Sequence, residues 1–163
     1  MSFYQFMAWL EASALGHAMR ESGPWTYAIV NLTHILGVAS LFGALVVLDL
    51  RLIGVWKRMP LAPIADAAST VAVIGFCVAA TSGAGLLATK ATEYVDNPFL
   101  YIKFPAIGLG LLNAFVLRLS TPWRARAIRD LATSEQRVLA WMGAASLVCW
   151  LTAIAAGRLI AYW

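Results

Sequence analysis

Residues 25–48 read WTYAIVNLTHILGVASLFGALVVL, with no Lys, Arg, Asp or Glu anywhere in the run. A helix crosses a bilayer core in about 20 residues, so this stretch predicts a transmembrane helix. Three further apolar runs of spanning length follow, over residues 70–88, 98–119 and 138–162. The whole chain agrees with them. Of its 163 residues 61% are apolar and only 12% charged, against about 25% charged in an ordinary soluble domain. A small soluble domain exposes much of its surface and needs more charge than this to cover it. The composition excludes a water-soluble fold. It predicts an all-α integral membrane four-helix bundle, one transmembrane domain over 1–163.

Helix punctuation supports the boundaries. Gly23-Pro24, Asn97-Pro98 and Thr121-Pro122 each set a capping residue before a proline, a pattern suited to a first helical turn. Pro63 followed by Asp66 suggests that the second span begins early. Pro105 lies inside the third span, where a proline kinks a helix. Ahead of the first span, residues 2–21 carry Phe3, Phe6, Met7, Leu10, Ala14, His17 and Ala18 at helical spacing. This predicts an amphipathic helix lying in the membrane interface, its lipid-bilayer partner. No Lys or Arg precedes Arg20, which argues against a cleaved signal. A second amphipathic piece is expected over residues 121–137.

The basic residues predict a topology. A four-span chain puts Arg51, Lys57, Arg58, Arg118, Arg124, Arg126, Arg129 and Arg137 on one side, and Arg20, Lys90, Lys103 and Arg158 on the other. Eight against four makes the first side cytoplasmic and both termini external. The net charge of +4 then reflects topology, and no nucleic-acid partner is expected. Small residues four apart occur in every span: Ala39 and Gly43, Ala79 and Gly83, Ala106 and Gly110, Ala153 and Gly157. Such pairs let helices approach closely in lipid. Cys77 and Cys149 fall within spans, where inert thiols are expected.

Ionisable groups inside a membrane are costly, so each is a candidate site. His34 is about ten residues, or roughly 15 Å, into the first span. Asn31 is one turn earlier on the same face. Lys103, Arg158 and the pair Thr81 and Ser82 bring polar groups from the other spans to the same outer-half layer. His34 has a structural reading, as a hydrogen-bonded core residue, and Lys103 and Arg158 have one as cations snorkelling to the headgroups. Functionally, His34 suits a haem iron ligand or a proton or anion site shared with Lys103. The other histidine, His17, is a weaker second ligand. At the inner end Asp49 and Arg51, with Asn113 and Arg118, are expected to be structural, with an Asp49–Arg118 clamp. No phosphate-binding loop, nucleophile elbow, His-Glu-x-x-His or paired intramembrane carboxylates occur, which excludes the familiar hydrolytic and nucleotide-driven chemistries.

Several of these residues sit in recognisable motifs. Leu10-Glu11-Ala12-Ser13 and Arg20-Glu21-Ser22 open the chain. The first span runs from His34 through Gly43 to Asp49-Leu50-Arg51-Leu52-Ile53-Gly54. Asn97-Pro98-Phe99, Ile102-Lys103 and Leu112-Asn113-Ala114 mark the third span, and Gly157-Arg158-Leu159-Ile160-Ala161-Tyr162 the end. Together they resemble a bacterial four-span membrane family catalogued only as a domain of unknown function. The resemblance covers nearly the whole chain and implies a bacterial inner-membrane protein, without an activity. More distantly, His34 and Lys103 are similar to positions in HemJ-type protoporphyrinogen oxidases and CopD-type copper-resistance proteins. The HemJ likeness implies haem b or another tetrapyrrole at His34 and Lys103. Arg118 stands where many relatives carry a His, which counts against a bis-histidine site.

Three expectations follow. The chain is a haem or tetrapyrrole redox module, with His34 as ligand and Lys103 or Arg158 pairing with propionates. Or it is a copper-handling or solute carrier protein using His34 with Met7, His17 and Met19. Or it is an accessory subunit of a membrane complex or homo-oligomer whose polar residues only set packing.

Overall fold

The computed structural model describes all 163 residues and contains only helices. In chain order these are α1 (Phe3–Glu11), α2 (Ala14–Glu21), α3 (Gly23–Ile53), α4 (Leu61–Thr89), a 3-10 turn (Ala91–Tyr94), α5 (Pro98–Leu119), α6 (Thr121–Ala125), α7 (Thr133–Leu159) and a closing 3-10 turn (Ile160–Tyr162). Helices α3, α4, α5 and α7 are long and apolar enough to cross a membrane. The expected four-span helical bundle is thus present.

The second and fourth spans begin at Leu61 and Thr133, ahead of the apolar limits at 70 and 138. Asp66, Ser69, Glu135 and Gln136 continue these helices beyond the apolar stretch, where hydropathy no longer marks them. The expected single helix over 2–21 is instead two. Ser13 restarts the chain, accepting a hydrogen bond from the Gly16 N–H at 3.3 Å while donating to Leu10 O at 2.6 Å. The break folds α2 back so that Gly16 lies against Ala88 O at the end of α4, where a Cβ would stand 2.9 Å away. The expected amphipathic piece over 121–137 reduces to the short α6, capped by Ser120 through the Trp123 N–H. Trp123 is buried in the bundle floor.

Packing runs α4–α3–α7–α5, while α4 and α5 share little direct packing. The α3–α4 contact is a zipper of small residues: Ala65, Ala68, Ala72, Gly75, Ala79 and Ser82 are all buried. At its crossing, a Cβ on Gly75 would meet Leu41 N at 2.5 Å and Gly37 O at 2.8 Å. Three of the four expected small-residue pairs lie at contacts, but Ala39 and Gly43 face outward. Gly37, two positions earlier, takes their place.

The core is layered. At the basic end Leu48, Leu52, Ala65, Leu117, Trp123 and Leu139 pack together. In the middle Trp150 of α7 reaches Phe76 of α4 at 6.2 Å between ring centroids and lies on Gly110 of α5. At the other, cap end, Met7, Ala91 and Leu100 close the bundle beneath α1. Both termini lie at this cap end. Phe6, Trp9 and Tyr4 of α1 remain exposed, as suits an interfacial helix.

Candidate functional site

Between the Trp150 layer and the cap, each long helix contributes one face to a polar layer. His34 of α3 is half-buried. Its ring lies against Gly83 of α4, where a Cβ would stand 2.9 Å from Cε1. Nδ1 is 2.9 Å from Ala79 O and 3.2 Å from Ser82 Oγ. A carbonyl only accepts, so the neutral ring carries its proton on Nδ1 and its lone pair on Nε2. Nε2 makes no hydrogen bond. Ser82 is buried and donates to Val78 O, leaving its oxygen free to face the imidazole. Thr81, its expected companion, turns outward and bonds Cys77 O.

Lys103 arrives from α5. The inward stripe of that helix is Leu100, Lys103, Ala106, Gly110, Asn113 and Leu117, at three- and four-residue spacing. Lys103 therefore points into the bundle and does not snorkel to lipid. Its Cε and Nζ lie along Gly157 of α7, each 3.4 Å from where a Cβ would stand. It makes no ion pair. His34 and Lys103 thus each face a glycine on a neighbouring helix, Gly83 of α4 and Gly157 of α7.

Other expected members of the site lie elsewhere. Arg158 is exposed and donates to the Tyr162 hydroxyl, its guanidinium 4.9 Å from that ring. Asn31 makes no hydrogen bond and is only partly buried. His17 is exposed, with Nδ1 3.8 Å from Glu21 Oε1, because the bend at Ser13 rotates α2. Met7 and Met19 are buried packing residues, Met19 lying against Gly85. No cluster of three His, Cys, Asp or Glu forms.

The expected Asp49–Arg118 clamp is absent. Arg118 follows Leu117 by one residue, about 100° around the helix, and falls outside the buried stripe. It lines a groove with Asp66 and Trp123. Asp49 is 2% exposed, and its Oδ2 has no hydrogen-bond partner. Gly143 and Ser146 of α7 lie against it.

Most remaining motif residues are staples between segments. Arg20 closes the carbonyl end of α4 at Thr89 O (3.2 Å) and reaches Glu11 O (2.9 Å). Glu11 accepts from the N–H and hydroxyl of Thr92. Arg51 donates to Met59 O at 2.7 and 3.0 Å, and Gly54 ends α3 at φ +116°, a left-handed turn that favours glycine. Asn97 caps α5 through the Phe99 N–H and donates to Ile160 O at 3.1 Å. Asn113 donates to Met142 O at 3.0 Å. Sequence reading missed the docking roles of Glu11, Arg20 and Asn97, since each partner is a backbone group or a turn far along the chain.

The chain belongs to a family of unknown function, DUF6644, whose model matches residues 6–163. No curated protein and no solved structure matches it. These comparisons show no likeness to HemJ-type or CopD-type proteins.

Proposed function

We propose that this chain is a multi-pass inner-membrane protein that holds a haem or related tetrapyrrole in the outer half of its bundle. The observation that supports this reading is the His34 ring: Nδ1 is engaged by the Ala79 carbonyl and Nε2 is left as a free lone pair. Imidazole ligands are commonly oriented this way, the far N–H held by a carbonyl. Lys103, unpaired in the same layer, suits a propionate carboxylate. The loosely packed α4–α5 seam is the side from which a flat ring would enter. When bound, haem supplies one-electron redox chemistry. Gly83 leaves room for the imidazole, Ser82 and Ala79 fix its tautomer, and the Trp150 layer closes the site toward the membrane centre. His17 sits beside Glu21, so His34 is the one protein ligand in this reading.

The absorption spectrum of protein from haem-replete cells tests it. A Soret band is expected, lost in His34→Ala and retained, with weaker haem retention, in Lys103→Ala. A colourless wild-type protein overturns the reading. The eight-to-four basic split supports placing the cap end outside. A C-terminal reporter active only in the cytoplasm is expected to be silent, and an active one reverses the orientation.

A further inference from the structure

A cavity of about 780 Å³ opens at the basic end, between the α3–α4 loop and the segment joining α6 to α7. Its lining divides into two. Ile53, Met59 and Leu61, with the core residues Leu52 and Leu139 behind them, supply its apolar part. Arg51, Lys57, Arg58, Arg126, Arg129 and Arg137 supply the polar side, and Asp130 is the one acid in the lining. These cations are not equivalent. Arg51 is engaged with loop carbonyls and Arg129 with Glu135. Arg126 holds Asp66 and the Trp123 carbonyl and stacks on the Trp123 ring, yet its Nε is buried without a partner. Lys57, Arg58 and Arg137 make no ion pair.

Like charges gathered around one cavity repel, and an anion there relieves the repulsion. Guanidinium and ammonium groups suit phosphate oxygens in particular. The cavity lies at the basic ends of α3, α4 and α7, and its lining includes the exposed apolar side chains Ile53 and Met59. A ligand that matches both sides has a phosphate head and an apolar tail. We propose that this cavity binds the headgroup of an anionic phospholipid, with Lys57, Arg58 and Arg137 as its free cationic contacts. The site is separate from the His34 layer and stands independently of it.

The test uses the full chain in nanodiscs of zwitterionic lipid with a titrated fraction of phosphatidylglycerol, read by native mass spectrometry of retained lipid. Wild type is expected to retain the anionic lipid preferentially. Each basic residue near an anionic surface contributes about a fivefold change in affinity. The triple variant Lys57→Gln, Arg58→Gln, Arg137→Gln should therefore weaken retention roughly a hundredfold at low salt. Arg137→Gln alone should weaken it about fivefold, which covers the case in which the triple variant does not fold. Lys90→Gln at the cap end should leave retention unchanged. Equal retention by Arg137→Gln and wild type, or no preference for anionic over zwitterionic lipid, overturns the proposal. Displacement of the lipid by an equal concentration of glycerol phosphate also overturns it, since that identifies a site for soluble phosphates.

Discussion

The Glu11 carboxylate of α1 and Thr92, in the turn after α4, are joined twice. The Thr92 N–H donates to Oε2 at 2.8 Å and its hydroxyl donates to the same oxygen at 2.7 Å. This contact docks the cap onto the bundle. It also holds the Glu11 carboxyl below its ordinary value of 4.5, with the charges of Arg20 and Lys90 adding smaller contributions. An undocked Glu11 titrates near the ordinary value. Docking is therefore fully supported above that pH and weakens as pH falls through the lowered docked value. Protection of the amides of residues 3–21, taken relative to their intrinsic exchange rates at each pH, should fall as pH drops from about 6 to about 3. In Glu11→Gln that pH dependence should disappear. Glu11→Ala should loosen the cap by about 1 kcal/mol, seen as faster exchange there and not in α3 or α4.

The α3–α4 crossing predicts a sharp contrast between two glycines. A Cβ at Gly75 would meet backbone atoms of Leu41 and Gly37 within 3 Å, and backbone cannot move aside without parting the helices. Gly75→Ala should destabilise the protein by about 1–3 kcal/mol. Gly43 has nothing within 4 Å of the added carbon, so Gly43→Ala should be neutral or stabilising by up to about 1 kcal/mol. Unfolding in mixed micelles with increasing SDS measures both.

These residues also show what the sequence reveals. The four spans were legible because lipid demands a long, uninterrupted apolar run. His34 and Lys103 were legible because a charge within such a run is conspicuous. Which small residue meets which helix was less so: the sequence offered Ala39 and Gly43 as readily as Gly37, and only the rotation of α3 about its axis decides between them. On α5, a one-residue offset from the buried stripe at Leu117 likewise separates Arg118 from Asp49. The break at Ser13 was hidden because apolar spacing continues across it, and the local Ser13–Gly16 bond outweighs that pattern. His17 was misplaced for this reason.

Asn97 links the start of α5 to the end of α7, and its two roles can be separated. Its Oδ1 caps α5 at the Phe99 N–H, and its Nδ2 reaches Ile160 O in the C-terminal turn. The residue is 4% exposed, so a lost partner there is not replaced by bulk water. Asn97→Ser keeps a capping oxygen and loses the link to Ile160, with an expected cost of about 1 kcal/mol. Asn97→Ala loses both, with an expected cost of about 2 kcal/mol. In the same SDS titrations, equal midpoints for the two variants would show that the cap contributes nothing.

Asp49 presents the opposite case, a polar group whose burial is incompletely compensated. Its Oδ2 has no hydrogen bond and the residue is nearly inaccessible. An unsatisfied buried oxygen is costly, and an ionised one more so. Asp49→Asn keeps the shape against Gly143 and removes the ionisable carboxyl, so it should be neutral or stabilise the protein by up to about 2 kcal/mol. A lower midpoint for the variant would mean instead that the carboxylate holds α7 in place through Ser146. Fifteen residues separate Asp49 from His34 on the same helix, about 22 Å along the axis. The substitution should therefore leave any Soret band of the His34 layer unchanged in position and intensity. A stability gain with an unaltered spectrum would mark Asp49 as a costly group kept for a role separate from His34, at the basic end of the bundle.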